Sequence, residues 1–312
     1  MDQTRSNQPT FTIITPLYNH SRYVAEALRS VMAQTFRDWE QIVVDDGSTD
    51  GGGRIVEQLA RQDGRIVLIR QANAGAAAAR NAALARSAGE WIAFLDSDDL
   101  WFPSALADYH RYIQAHPQAR FIYGRRHRLN EDGSVTELPG MHQDRPSGTA
   151  DLFRKMYLST LCCCFRRELL DETGPFDPAL PCCEDYELFL RISLRCRFEP
   201  MGRPTGLRRR HGANISRQTG FTRMVEAEVL RRFVERLGGR DVLEAALVRN
   251  RLGQLYYASA RQYFKARCFG QALQAAKLAG RYRPCLKAAA IRTTSRCLLP
   301  FGRTDARKMP KF

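Results

Sequence analysis

No run of apolar residues in this sequence approaches the length that crosses a bilayer as a helix. Residues 1–10 are polar, without the charged start, apolar stretch and small residues of a secretory leader. The sequence therefore points to a cytoplasmic protein with no helical membrane anchor. A disulfide framework is also missing: the nine cysteines are odd in number, and five stand side by side at 162–164 and 182–183. Zinc-ligand spacing does not repeat, so reduced thiols in a reducing compartment are expected. Acidic residues are scarce in the last part of the chain. Residues 221–312 hold 20 Lys and Arg against 6 Asp and Glu, whereas the residues before them hold 28 against 27. Such a basic segment can seek an anionic membrane surface, a nucleic acid or an acidic partner. It carries no recognised RNA-binding module, so a nucleic-acid partner is not expected.

What is present is a full-sized core with room for an appendage, since the chain has 312 residues. From residue 11, short apolar runs alternate with helical stretches, the pattern of βαβ units around a mainly parallel sheet. Strands are predicted at 11–15, 41–44, 65–69, 90–95 and 120–123, and helices at 23–32, 54–61, 76–86 and 104–115. The alternation then breaks down. Residues 130–133 make a hairpin turn, 139–146 a loop, 161–165 a buried strand and 184–194 a helix. A stretch with Gly and Ser at 212–220 marks the boundary between domains set at 1–218 and 219–312. Beyond it Val225, Val229, Phe233 and Leu237 recur every four residues and share one face of an amphipathic helix. Residues 256–284 resemble one helix pair of a tetratricopeptide repeat, in a single copy.

The most informative segment is Phe94-Leu95-Asp96-Ser97-Asp98-Asp99, in which three carboxylates follow an apolar run within four positions. Acids this close repel and raise one another's pKa, so a site that keeps them ionised supplies a cation or strong hydrogen-bond donors. Oxygen ligands favour Mg²⁺ or Mn²⁺. A parallel strand would deliver the acids at its carboxyl end, the edge at which open α/β sheets bind ligands. Taken alone, an acidic turn with Asp99 capping a helix from residue 100 explains the cluster equally well.

Other segments fit around a nucleotide. Thr15-Pro16-Leu17-Tyr18-Asn19 closes the first strand, with Pro16 ending its pairing and Tyr18 offering a face to a base. Asp45-Asp46-Gly47-Ser48 closes the second, where a carboxylate can accept the N–H of a uracil ring. Asn73-Ala74-Gly75 opens a helix bearing Arg80 and Asn81, which puts a helix N-terminus and a guanidinium near an anion site. With the acidic cluster, Cys183-Glu184-Asp185-Tyr186-Glu187-Leu188 and Arg210-His211-Gly212-Ala213-Asn214-Ile215-Ser216, this ordered set resembles the family 2 glycosyltransferases over residues 10–218.

The resemblance implies an α/β fold of the GT-A type and a nucleotide-diphosphate-sugar donor, a UDP-sugar first of all. It also implies Mn²⁺ or Mg²⁺ as cofactor and inverting transfer to a hydroxyl of a glycan or lipid-linked acceptor. Carried over residue by residue, Thr15, Tyr18 and Asp46 surround the base, Pro16 joins the nucleotide-sugar-binding set, Arg80 stands near the nucleotide, Asp96 meets the ribose and Asp98 the metal. Asp185 matches the catalytic base, and His211 a position that in some members binds metal or diphosphate. Plainer roles compete: Asp45, Asp46 and Ser48 as a turn, Glu184 and Asp185 as acids at a helix start, His211 on the surface and Arg80 solvated. Trp91 and Trp101 are read as core. A sugar nucleotidyltransferase would carry a glycine-rich basic loop where Pro16-Leu17-Tyr18-Asn19-His20 stands, and a non-catalytic scaffold would not need both acidic motifs. The basic tail either holds the protein on the inner face of the membrane or is a solvated helical face that packs on the catalytic domain or a second subunit.

Overall fold

The computed structural model describes residues 8–138, 145–210 and 219–302. Runs rich in β-branched and aromatic residues become strands β1 (Phe11–Leu17), β2 (Trp39–Asp46), β3 (Ile66–Gln71) and β4 (Trp91–Phe94). They pair in parallel in the order β3-β2-β1-β4. The crossovers run through α1 (Ser21–Met32), α2 (Gly52–Gln62) and α3 (Ala76–Leu84). Pro16 does not end β1, as the sequence suggests, but lies in register with Val44. Pairing with β4 stops at Ile14, so β1 has a free edge from there on, the setting in which a strand tolerates proline.

The other half of the sheet is mixed, because its strands return in both directions. It contains β5 (Leu100–Trp101), β6 (Phe121–Leu129), β7 (Val135–Thr136), β8 (Cys163–Arg166) and β9 (Glu199–Arg209). The full order is β3-β2-β1-β4-β8-β6-β9-β5, with β7 on β6. β8 runs antiparallel to β4 and β6, whereas β9 runs parallel to β6 and antiparallel to β5. The turn predicted at 130–133 joins β6 to β7, with the Asn130 N–H donating to the Ser134 carbonyl. Sequence pattern misses β9, whose Pro200, Gly202 and Pro204 read as loop. Partners on both sides override that local preference, and the register shifts beside Arg125 absorb the irregularity.

The described chain divides into two compact units. One takes residues up to 148, 157–179 and 195–210, and holds the sheet with α1–α3, α4 (Ala105–Ala115) and α6 (Glu168–Thr173). The other takes 149–156, 180–194 and 219–302. It joins α5 (Thr149–Arg154) and α7 (Glu184–Ile192) to α8 (Gly220–Arg236), α9 (Gly239–Val242), α10 (Ala245–Lys265), α11 (Phe269–Tyr282) and α12 (Leu286–Leu298). Of the boundary stretch read at 212–220, residues 212–218 lie outside the described residues. α8 begins with a capping box between Thr219 and Thr222 and buries Val225, Val229 and Phe233, while Leu237 follows its end half-buried. The Tyr186 hydroxyl of α7 donates to the Leu152 carbonyl of α5 at 2.8 Å, so these two short helices are tied directly.

The core of the sheet unit runs from Phe11, Ile13 and Leu17 through Val43 to Trp91, Trp101 and Tyr109. Both tryptophans are core, as expected, and the Trp101 indole N–H donates to the Leu161 carbonyl at 2.8 Å. The triple cysteine is buried beside them, and burial pushes the Cys162 thiol up to about 12, which keeps it protonated and unreactive. Tyr109 of α4 is fully buried and donates its hydroxyl to the Cys162 carbonyl at 2.7 Å. Tyr109→Phe should therefore lower stability by about 1–2 kcal/mol, read as a lower urea midpoint at unchanged slope.

Candidate active site at the carboxyl ends of the parallel strands

Beyond β1, β2 and β4 the chain leaves the sheet in three loops that are tied to one another. Asn19 adopts a left-handed backbone with φ 53°, which Asn tolerates better than most residues. Its N–H donates to the Ser48 hydroxyl at 3.1 Å, and its side-chain oxygen accepts the Thr49 N–H at 2.8 Å. Asp50 accepts the N–H groups of Ser21 and Gly52 at 2.7 and 2.9 Å. Burial works to raise the Asp50 pKa, but these bonds outweigh it and hold the carboxyl below its ordinary value. His20 Nδ1 lies 2.8 Å from the Ser97 hydroxyl, linking the first loop to the acidic one. Within this frame Thr15 is buried with its hydroxyl accepting from Gln41 at 3.0 Å, Pro16 is half-buried, and Tyr18 turns outward, 49% exposed.

Asp46 closes β2 almost wholly buried. Its Oδ1 accepts from the Gln71 side chain at 2.7 Å and the Ala74 N–H at 2.9 Å, and its Oδ2 from the Gly75 N–H at 2.8 Å. The carboxylate thereby shapes the loop that opens α3. The turn role weighed for this segment falls to Asp45, whose Oδ1 accepts the Ser48 N–H at 2.9 Å. Gly47 is required between them: its φ is +77°, and a Cβ would come within 2.9 Å of the Asn73 nitrogen.

Arg80 is not a solvated helix residue. Its side chain is 6% exposed, and Nη2 lies 2.9 Å from Oδ1 of Asp96, the more open partner at 33%. The guanidinium also stands 5.6 Å over the Phe176 ring, which Asn81 fixes by two hydrogen bonds to the Phe176 backbone at 2.9 and 3.0 Å. Asn81 is thus a clamp, while its neighbour Arg80 faces the acids.

Asp98 is half-buried and Asp99 buried. Asp99 caps no helix: residues 100–101 form β5, the next helix starts at Ala105, and the carboxylate accepts the Arg209 N–H of β9 at 2.9 Å. Burial first, then the nearby charges of Asp98 and Asp96, pushes the Asp99 carboxyl well above its ordinary value. Its neutral form is favoured, an effect that a cation beside the loop would reverse. Arg209 also donates from Nε to the Asp98 carbonyl at 3.0 Å and pairs with Glu26 at 2.6 Å. Burial and the neighbouring Arg208 push the Arg126 guanidinium below its ordinary value, so cations as well as acids are crowded here. Sequence reasoning misses Arg126, Arg208 and Arg209 as site residues. The available signal is the basic run Arg208-Arg209-Arg210 immediately before His211.

Asp185 lies half-buried in the first turn of α7, in the second compact unit, and its Oδ1 accepts the Tyr186 N–H at 2.8 Å. Glu184 and Glu187 share that turn, where the helix dipole favours negative charge. Glu187 is committed to Arg191 by two bonds at 2.9 and 2.7 Å. Thr15, Pro16, Tyr18, Asp46, Arg80, Asp96 and Asp98 are thus gathered in the sheet unit, and Asp185 stands in the other. His211 lies outside the described residues.

Among the described residues no three His, Cys, Asp or Glu side chains are grouped to hold a metal unaided. Asp98 and the open side of Asp96 nevertheless suit a hard cation. Mg²⁺-type ions are commonly held by one or two carboxylates, completed by substrate phosphates and water. No described helix is long and apolar enough to cross a membrane.

Comparison with known proteins agrees with this architecture. The putative teichuronic acid biosynthesis glycosyltransferase TuaG of Bacillus subtilis is 47% identical over 95 residues, 30% of this chain and 38% of its own length. TarS 1-349 of S. aureus with UDP-GlcNAc superposes with a TM-score of 0.60 at 20% identity, covering 96% of this chain and 93% of that one. The mannosyltransferase PcManGT of Pyrobaculum calidifontis, with GDP-Man and Mn²⁺, gives a TM-score of 0.55 at 21% identity, covering 95% and 81%. At such identities these two structures speak for the GT-A fold alone. The chain spans about half the length, or less, of the curated relatives it matches. The family model for Glycosyl transferase family 2 matches residues 12–174, more than half of the sequence, and this chain belongs to that family.

Proposed function

We propose that this protein is an inverting glycosyltransferase. It moves a sugar from a nucleotide-diphosphate sugar, with a UDP-sugar as the expected donor, to a hydroxyl of a glycan or lipid-linked acceptor. The observation that carries this reading is the Arg80–Asp96 ion pair at the carboxyl edge of the parallel strands, flanked by Asp98 and by the loop that Asp46 anchors. TuaG, named for teichuronic acid biosynthesis, supports a place in cell-surface polysaccharide or glycolipid synthesis.

Each residue then has a physical task. Tyr18 offers an exposed ring to the base, and Thr15 and Pro16 fix the strand end that presents it. A carboxylate has about four acceptor positions. Asp46 uses three internally and keeps one for a ring N–H. Asp96, oriented by Arg80, accepts a ribose hydroxyl. Mn²⁺ or Mg²⁺, held by Asp98 with Asp96, would supply neutralisation of the departing diphosphate's charge. Arg126 and Arg208 add positive potential beside the same acids, and His211 is a further contact to diphosphate or cation. Asp185 takes the proton of the acceptor hydroxyl, and a single displacement at the anomeric carbon inverts its configuration. The basic carboxyl-terminal helices would keep the enzyme on the anionic inner face of the membrane, near lipid-linked acceptors.

A panel of UDP-sugars with Mn²⁺ should show slow release of UDP from at least one donor in the absence of acceptor. Pyrophosphate exchange with UTP instead would assign a nucleotidyltransferase. Asp185→Asn should leave nucleotide affinity nearly unchanged and lower transfer by about 10²–10⁴-fold; near-normal turnover would remove Asp185 from the role of base. Asp98→Ala should abolish the Mn²⁺-dependent part of UDP binding in titration calorimetry, and an unaltered metal dependence would count against Asp98 as a ligand.

A further inference from the structure

Between Ala245 and Gly302 the sequence contains eleven Lys and Arg and no Asp or Glu. The second compact unit gathers part of this charge in one place. Helices α11 and α12 border an open groove of about 970 Å³ with Leu273, Ala276 and Ala288 among its apolar lining and no acidic residue. Lys277 and Arg281 of α11 and Arg292 and Arg296 of α12 also line it, and all four are exposed. Each pair is spaced by four residues, so its two cations lie on one side of their helix. Six large hydrophobic residues stand exposed among the described residues, and three of them, Leu286, Leu299 and Phe301, lie at the two ends of α12. Leu286 is 90% exposed and Phe301 78%.

Cations around an apolar floor, with large apolar side chains projecting at both ends of the helix, match the chemistry of a phospholipid interface. Phosphates meet the ammonium and guanidinium groups, and the acyl boundary accepts leucine and phenylalanine. We propose that the α11–α12 face docks this protein onto an anionic bilayer. Lys277, Arg281, Arg292 and Arg296 take headgroup phosphates, and Leu286 and Phe301 enter the acyl boundary. A nucleic acid would satisfy the cations but would leave Leu286 without a function, since single strands are held by aromatic platforms rather than aliphatic side chains. The proposal rests on the membrane-surface reading above and specifies the surface responsible.

The test is sedimentation of the full chain with vesicles of mixed phosphatidylglycerol and phosphatidylcholine, and with pure phosphatidylcholine vesicles, over a range of salt. Anionic vesicles should carry the protein down, neutral ones should not, and binding should fall as salt rises. Combined Lys277→Gln, Arg281→Gln, Arg292→Gln and Arg296→Gln should weaken binding at least about tenfold, given the worth of each cation near an anionic surface. Leu286→Ser with Phe301→Ser should weaken it several-fold at unchanged salt dependence. All six positions are exposed, and thermal melts should match the parent protein. Donor hydrolysis in solution should also stay at the parental rate in both variants, so failure of docking and failure of the transferase reading are separately visible. Absent or salt-insensitive binding, equal binding to neutral vesicles, parental binding by the four-site variant, or capture of an RNA oligonucleotide without capture of vesicles would each overturn the proposal.

Discussion

The buried guanidinium of Arg80 is the constraint around which the site is arranged. A charge withdrawn from water on an alanine-rich helix persists only where an opposite charge meets it, and Asp96 is that charge. The requirement fixes how α3 must sit relative to the end of β4, because a one-turn slip of the helix would leave both charges unmatched. Asp46 enforces the same placement from below by gripping the two N–H groups that precede the helix. Asn81, one residue on, holds the Phe176 backbone and so keeps its ring against the guanidinium. Helix, loop and acidic segment are therefore tied together at one corner, with their polar groups already oriented.

Around that corner, charges of both signs are kept close without cancelling. Burial and the neighbouring acids push the Asp99 carboxyl up although it accepts a backbone N–H, while Asp96 and Asp98 remain the more accessible carboxyls. Arg209 spans the acidic loop and α1 through Asp98 and Glu26. Such an arrangement suits a ligand that carries both an anion and a bound cation, since neither sign alone dominates the local field.

The parallel half of the fold was legible in the sequence because its signals are local. Each strand is a short apolar run, each run ends in a polar loop, and the acids sit at those ends. The mixed half was not, because β5 and β9 exist through pairing rather than propensity. Two residues at 100–101 and an arginine-rich stretch with two prolines carry no strand pattern of their own. The candidate site divides in the same way. Arg80, Asp96 and Asp46 could be named from motif and position, whereas Arg126, Arg208 and Arg209 arrive on β6 and β9 from far along the chain. The union of α7 with the carboxyl-terminal helices was likewise invisible, for it depends on contacts between segments that the sequence separates.

The bond from Arg209 to Asp99 joins residues 110 positions apart. During synthesis the amino-terminal strands leave the ribosome long before β9, and they can begin to assemble as they appear. The acidic loop, however, has to wait for residue 209 before Asp99 finds its partner and Asp98 its neighbouring guanidinium. A nascent chain would thus hold an unfinished corner until residue 209 has been made, well after all four parallel strands are complete.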